Sequence, residues 1–514
     1  MYEDLIFYQI YPKSFCDSNR DGIGDLQGIL SKVPYLKELG VNAVWLSPCF
    51  KSPFADNGYD ISDYRDIDES FGSMEDFKIL LKTLHENGIK LILDFVANHT
   101  SSEHFWFKEA RKSKDNPYRD YYIWRKTPPN DWESCFGGTA WQYDELTQEY
   151  YLHSYAVEQP DLNWDNPRVR EEMCAVIDFW IDMGVDGFRC DVLDNISKDC
   201  EKGINSCGTK LHEYINQLFG REKTKSIFTV GECWSTNKEN VSLYCDKDRR
   251  ELTTVFCFNH LITKGGRFFM KKPPLYQVCK EISDWQLLTQ EVNVLPPVFI
   301  ENHDQPRSVS RFGDDKERRY ECATFFGGLV LMHKGIPFIY QGQEIGMTNY
   351  QGRSLKDFND VESRWHYNEY YDTVSKEELL TRINYGGRDN PRVMMPWTGE
   401  KVKSWQADYT RREEINVEND LSSSKSIFAF YKKLIALRKA EKALTKGKYK
   451  LCTLTSDEYR FERIYKEDKI TVCFSLEKGK EISLPNDCEI LIDNYQDTIL
   501  ETKPYRLVVF KSKI

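Results

Sequence analysis

Eight short runs of β-branched, aromatic and aliphatic residues recur along the 514-residue chain, each with little polar alternation. They cover residues 6–11, 43–47, 90–95, 185–191, 227–232, 254–258, 298–301 and 337–340. Near-continuous apolar runs of this length are the pattern of strands buried on both faces of a parallel sheet. Amphipathic stretches with helix punctuation lie between them. Ser73 opens one that stops before Gly88, and Pro167 opens another that ends at Gly184. Eight strands with intervening helices predict an α/β fold of the (β/α)8 TIM-barrel type.

Two regions break the rhythm. Residues 101–166 turn polar and aromatic and are too long for a barrel connection, which predicts a small inserted domain after strand 3. Residues 342–424 are charged and irregular and are expected to run over the barrel mouth, with a helix over 425–439 closing the barrel. The short alternating runs after residue 444 predict a C-terminal antiparallel β-sandwich. The expected division is a catalytic barrel from 1–100 and 167–443, an insert over 101–166 and a sandwich over 444–514.

Composition narrows the class without naming it. No apolar run is long enough to span a membrane, and MYEDLIFYQIYP lacks the features of a signal peptide, so a cytoplasmic protein without a membrane partner is expected. A net charge of −11 with both signs interspersed disfavours a nucleic-acid partner. The 15 cysteines are odd in number and form no CxxC pair, so buried free thiols are expected rather than disulfides or a zinc site. Aromatic content of 14% fits either a large core or sugar stacking, and does not choose between them.

Chemistry gathers where the strands end. Asp191 closes the fourth strand two residues after Arg189, and Glu232 closes the fifth. Neighbouring strand ends of a barrel can bring such a pair face to face, as glycoside hydrolysis requires: one ionised nucleophile and one carboxyl kept protonated. Arg189 is expected to keep Asp191 ionised, although a purely structural ion pair would leave the same trace. Asp304 follows His303 at the seventh strand end, and His99 follows the third. Neutral histidines and a third carboxylate suit hydrogen bonds to sugar hydroxyls that tighten as positive charge develops on the ring.

DFVANH (94–99), GFRCDV (187–192), GEC (231–233) and ENHD (301–304), in that order, resemble the four signature regions of glycoside hydrolase family 13, the α-amylase superfamily. QPDLN (159–163) resembles a further signature found in its oligo-1,6-glucosidase and neopullulanase-related members, and the likeness runs from IFYQIYPKSF to about residue 440. The resemblance implies Asp191 as nucleophile, Glu232 as general acid/base and Asp304 as transition-state stabiliser, with His99, Arg189 and His303 around the cleaved glucose. It also implies that NGYDISDY supplies Tyr59 as a stacking platform and Asp60 as partner of Arg388 from GRDNPR. That pair would close the inner end of the pocket and favour exo-action on short oligosaccharides.

The segment DSNRDGIGD (17–25) carries oxygen ligands at alternate positions: Asp17, Asn19, Asp21 and Asp25, with the Ile23 carbonyl. Such a set suits a hard cation, and a similar calcium loop belongs to the α-glucosidase branch, so a structural Ca²⁺ is expected, with none needed for chemistry. Arg20 stands where that loop usually has a small residue. By the same resemblance, Val192 after the nucleophile favours α-1,6 over α-1,4 linkages, and Cys233-Trp234-Ser235 departs from the usual methionine-led sequence on the acceptor side. Trehalose-6-phosphate hydrolase is the alternative reading and would need cations for phosphate near the acceptor. Sucrose-active or α-1,4-preferring α-glucosidases and transglucosidases are further alternatives. A non-catalytic transporter-heavy-chain relative is disfavoured, because all three carboxylates are present. The simplest expectation is a monomer acting on small oligosaccharides.

Overall fold

The computed structural model describes every residue except 1, 247, 250, 262–265, 270, 477–481, 483, 486, 496–502 and 514. Its centre is an eight-stranded parallel sheet. In chain order the strands are β1 (Phe7–Ile10), β2 (Ala43–Leu46), β3 (Lys90–Val96), β4 (Gly187–Asp191), β5 (Phe228–Glu232), β6 (Thr254–Phe256), β7 (Pro297–Val298) and β8 (Ile336–Tyr340). Hydrogen-bonded neighbours run β6-β5-β4-β3-β2-β1-β8-β7. The remaining seam is bridged by the Thr254 hydroxyl, which donates to the Leu295 carbonyl at 2.7 Å. Each predicted apolar run overlaps one of these strands. The agreement follows from double-sided burial, which demands unbroken apolar runs that loops rarely carry.

Helix α1 (Met74–Glu86) is capped by Ser73, whose hydroxyl accepts the Asp76 N–H while Asp76 answers back in a capping box. Helix α2 (Pro167–Met183) ends at Gly184 with φ 104°, a left-handed C-cap that glycine adopts without penalty. Between β3 and α2 the chain leaves the barrel. It forms a three-stranded antiparallel sheet from Trp124–Arg125, Trp141–Asp144 and Glu149–Leu152. An isolated bridge between His99 and Asp161 ties the end of this excursion back to the loop after β3.

The segment over the mouth is more ordered than its sequence suggests. The expectation of an irregular run over 342–424 is corrected by two consecutive helices, α3 (Val361–Tyr370) and α4 (Lys376–Gly386). Neither shows a clear apolar stripe, so periodicity hides them. They are held by polar caps, Asp360 accepting from Ser363 N and Ser375 from Glu378 N, and by stacking of His366 on Phe268 at 4.2 Å. Helix α5 (Ile427–Ala440) then packs onto the barrel. The described C-terminal residues form a single five-stranded antiparallel sheet, and His333 from the barrel side reaches its Tyr459 hydroxyl at 2.7 Å.

Candidate active site

One guanidinium organises the carboxyl ends of β3, β4 and β5. Arg189 Nη1 donates to Asp94 and Asp191 at 2.6 Å each, and Nη2 bonds Glu232. Period-two alternation along β4 puts Arg189 and Asp191 on the same, inward side. Asp94 is the central brace: it also accepts from Trp45 Nε1 and the Tyr59 hydroxyl, both at 3.0 Å. Sequence reasoning passed over Asp94 although it opens the DFVANH signature. Its signal was a carboxylate inside a buried strand, where an unpaired charge is untenable.

Arg189 does not hold Asp191 in a simple ionised pair. Burial raises the Asp191 carboxyl well above its ordinary range, and Glu232 and Asp94 add to this against the opposing pull of Arg189. Burial likewise pushes Asp94 up to about 6 despite Arg189. Three carboxyl groups share one positive charge, so Arg189 bonds Asp191 as expected but is not its partner alone. Glu232 has both oxygens engaged: Oε2 accepts from Val192 N at 3.2 Å and bonds Arg189, while Oε1 accepts from Trp234 Nε1 at 3.0 Å.

Asp304 sits in the opposite regime. Burial alone would raise its carboxyl, but the His303 ring and the guanidinium groups of Arg392 and Arg388 outweigh it and hold Asp304 well below the carboxylate range. Arg392 bonds it at 2.5 Å and Arg388 lies at 3.6 Å. His303 stacks on Tyr59 with ring centres 5.2 Å apart, touches its hydroxyl at 2.6 Å and bonds Gln9 at 2.8 Å. Burial keeps His303 neutral, with its pKa lowered to about 3, and lowers His99 to about 4. His99 Nε2 contacts the Tyr59 carbonyl at 3.2 Å and the Gln159 amide at 3.0 Å. QPDLN thus folds back onto the loop that carries His99.

Asp60 is not the partner of Arg388. It accepts from Ser52 Oγ at 3.0 Å and from the N–H groups of Ala55 and Asp56 at 2.9 Å, bracing the loop from below. Arg388 instead pairs with Asp56 at 3.1 Å and Asp360 at 2.6 Å, and lies 4.4 Å over the Phe136 ring. Within FADNGYD the two aspartates are four residues apart, and spacing alone cannot say which one faces the cleft. The loop turn at Asn57 and Gly58, both at positive φ, decides it. Glu362, Arg267 and Arg392 complete this wall; the first two lie in segments with no motif, and Arg392 ends the GRDNPR motif from which only Arg388 was singled out.

The cleft encloses about 360 Å³ and is lined by Asp56, Tyr59, His99, Asp191, Val192, Glu232, Trp234, Asp304 and Arg388, with Phe136 and Tyr155 from the insert. Val192 is the first residue past β4 and adopts φ 34°, a left-handed conformation that is costly for a β-branched side chain. Far from the cleft, the 17–25 loop is bound up with itself. Asp17 accepts from the N–H groups of Asn19, Arg20 and Gly22, and Asp21 accepts from Ile23 N. Asp25 accepts from Gly28 N as the cap of the next helix and from Ser18 through its other oxygen. Arg20 has φ 66°, which explains why a small residue is favoured at that point.

A parallel barrel with paired carboxyl groups on one guanidinium, a third ionised aspartate and neutral histidines at its strand ends defines a glycoside hydrolase. Residues 9–447 match the family model of the alpha-amylase catalytic domain, and the chain belongs to that family, glycoside hydrolase family 13. It is 43% identical to the oligo-1,6-glucosidase of Parageobacillus thermoglucosidasius over 100% of this chain and 98% of that protein. It is 40% identical to the glucan 1,6-alpha-glucosidase of Streptococcus pneumoniae serotype 4, covering 90% and 89%. The crystal structure of a Bacillus licheniformis trehalose-6-phosphate hydrolase mutant superposes with a TM-score of 0.93 at 37% identity, covering 99% of both chains.

Proposed function

We propose that the protein is a retaining, exo-acting α-glucosidase that releases terminal α-1,6-linked glucose from short oligosaccharides of the isomaltose type. The carrying observation is the sharing of Arg189 by Asp191 and Glu232. Carboxyl groups held on the two nitrogens of one guanidinium are close neighbours, which fits the spacing of roughly 5 Å used by retaining enzymes rather than the wider inverting gap. The reaction calls for a proton on Glu232 and a charge on Asp191.

In the first step the Asp191 carboxylate forms a bond to the anomeric carbon as the bond to the glycosidic oxygen breaks. The Glu232 proton passes to that oxygen and the shortened sugar departs. Glu232, now ionised, takes a proton from water, whose oxygen displaces Asp191 and frees glucose. Asp304, held ionised by its arginines, stabilises the positive ring in both transition states. Neutral His99 and His303 supply hydrogen bonds without adding positive charge. Asp56 and Arg388 grip the far hydroxyls and end the pocket after one glucose.

Against a phosphorylated substrate stands the charge of the wall. The described lining residues include six carboxylates, Asp56, Glu133, Asp191, Glu232, Asp304 and Glu362, against Arg267 and Arg388. Both arginines are already ion-paired, with Glu362 and with Asp56 and Asp360. The test is glucose release from isomaltose, maltose, sucrose, trehalose and trehalose 6-phosphate by wild type and Asp191→Asn. Isomaltose is expected to lead, and the variant is expected to lose about 10⁴-fold in kcat. Undiminished activity in the variant, or preference for trehalose 6-phosphate, would sink the reading.

The 17–25 loop is proposed as a structural calcium site built on Asp17, Asn19, Asp21 and the Ile23 carbonyl. Asp25, committed to its helix cap, contributes through the fold of the loop. Support lies in the alternate spacing of oxygen-bearing residues in the loop; among the described residues no cluster of three acidic, histidine or cysteine side chains is gathered for a metal. A rise in Tm on adding Ca²⁺, lost in Asp21→Ala, tests it. Cytoplasmic residence is proposed from the thiols, all 15 of which are free, and a monomer is proposed as the working unit. Among the described residues no helix is long and apolar enough to cross a membrane.

A further inference from the structure

Trp234 stands out because its indole is 44% exposed at the cleft although its N–H is fully used. One ring face stacks on Phe258 with centres 4.1 Å apart and planes 10° from parallel. The other face is open to the cleft. The N–H donates to Glu232 Oε1 at 3.0 Å. The segment is pinned: Ser235 N donates to Asp194 at 3.0 Å, and Asn237 and Asn240 both donate to the Ser235 carbonyl. The indole is therefore placed by its supports rather than swinging freely.

We propose that Trp234 is a positioning residue that joins two tasks in one side chain, resting on the reading of Glu232 as acid/base. Its open face receives the departing or incoming acceptor sugar by stacking. Its N–H fixes the Glu232 carboxyl and strengthens its bond as Oε1 loses its proton. An indole nitrogen can only donate, so the interaction favours the carboxylate over the acid. It grows in the step that protonates the leaving group and is in place when Glu232 acts as base toward water. Oε1 keeps a second lone pair for the travelling proton, so the bond and the transfer coexist. Acceptor choice and proton control thereby sit on one ring.

Wild type, Trp234→Phe, Trp234→Ala and Glu232→Gln are compared on isomaltose and on α-glucosyl fluoride, whose fluoride departs without a proton. Trp234→Phe keeps the ring stack and removes the N–H. Its kcat/KM–pH profile on isomaltose is expected to move its alkaline limb upward by about 0.5–1 unit. Its kcat/KM on the fluoride stays within about twofold of wild type. Trp234→Ala is expected to raise KM for isomaltose about 5- to 10-fold and to lower glucosyl transfer to added glucose. Superimposable pH profiles for wild type and Trp234→Phe would overturn the proposal, and so would equal losses on both substrates for Trp234→Ala. If Glu232→Gln loses as much on the fluoride as on isomaltose, the acid/base reading itself fails, whatever Trp234 does.

Discussion

The two ends of the cleft are built on opposite principles. At the inner end the arginines have several carboxylate partners each: Arg388 with Asp56 and Asp360, Arg392 with Asp304 and Asp360, Arg189 with three carboxyl groups. At the outer end stand Val192 and an exposed tryptophan, with few polar contacts beyond Glu232. On the proposed reading the inner end holds the one glucose that is released, so over-determined geometry costs nothing in scope. The outer end meets whatever is attached to that glucose, where shape and stacking discriminate weakly. Strong selection for the first sugar and graded preference for the bond beyond it follow from this difference.

The comparison breaks most sharply at the inner wall. Arg388→Ala strands Asp56 and Asp360 without their shared cation, and breaking such buried pairs costs about 3–5 kcal/mol. Denaturant unfolding is expected to show that loss alongside near-complete loss of isomaltose hydrolysis. A stable, active variant would mean that the inner end is not over-determined. The next test separates two neighbouring aspartates. Asp56→Asn is expected to lower kcat/KM by roughly 100-fold, the scale of losing a charge-assisted contact to substrate. Asp60→Asn is expected to lower stability by about 1–3 kcal/mol with kcat/KM little changed, because it braces the loop rather than facing sugar. The reverse pattern would restore the partner assignment that the structure corrects.

A pH test probes the same wall. His99 and His303 are held neutral by burial, at about 4 and about 3 against an ordinary 6.5. Below pH 6.5 the unfolded chain binds protons that the folded chain refuses, so stability falls with pH from 6.5 toward those values. Buried carboxyl groups such as Asp94, pushed up to about 6, act in the opposite sense. The reading is therefore the difference in Tm between wild type and His303→Gln from pH 7 to 4.5, and a pH-independent difference would contradict a neutral buried ring. At the outer end the expected effect is smaller. Val192→Ala removes two methyl groups beside the acceptor and relaxes a β-branched residue at positive φ. It is expected to shift the isomaltose-to-maltose ratio of kcat/KM toward maltose by about 10-fold, within the 1–3 kcal/mol range of methyl-scale discrimination. The smallest effect is Arg20→Gly, expected to raise Tm slightly by relieving a left-handed arginine worth about 1 kcal/mol.

The legibility of the molecule followed the same divide between local and distant causes. All eight barrel strands could be read from apolar runs, since burial on two faces is written residue by residue. Helix Pro167–Met183 was readable from its proline and its glycine alone. The helices over 361–370 and 376–386 were not, because polar caps hold both in place of an apolar stripe, joined in the first by ion pairs of Asp360 and Glu362 to Arg267, Arg388 and Arg392. Asp191, Glu232, Asp304, His99 and His303 were visible as polar ends of apolar strands. Asp56, Asp360 and Glu362 were not, being ordinary charged residues until the chain brings them together, while Asp94 and Arg392 stood inside DFVANH and GRDNPR with no partner in the sequence to give them a role.

The sequence by itself determined the barrel, the order of its strands and which strand ends carry chemistry, because those depend on short runs and their immediate termini. Only the tertiary structure decided which carboxylates share Arg189, which aspartate faces Arg388 and which aromatic ring stands beside Glu232. Most of those pairings join residues tens to hundreds of positions apart, and even the two-residue pairs Arg189–Asp191 and Glu232–Trp234 meet only when the chain holds both side chains at one site. Their energies come from burial and charge at a distance of a few ångströms, quantities that exist only once the chain is folded.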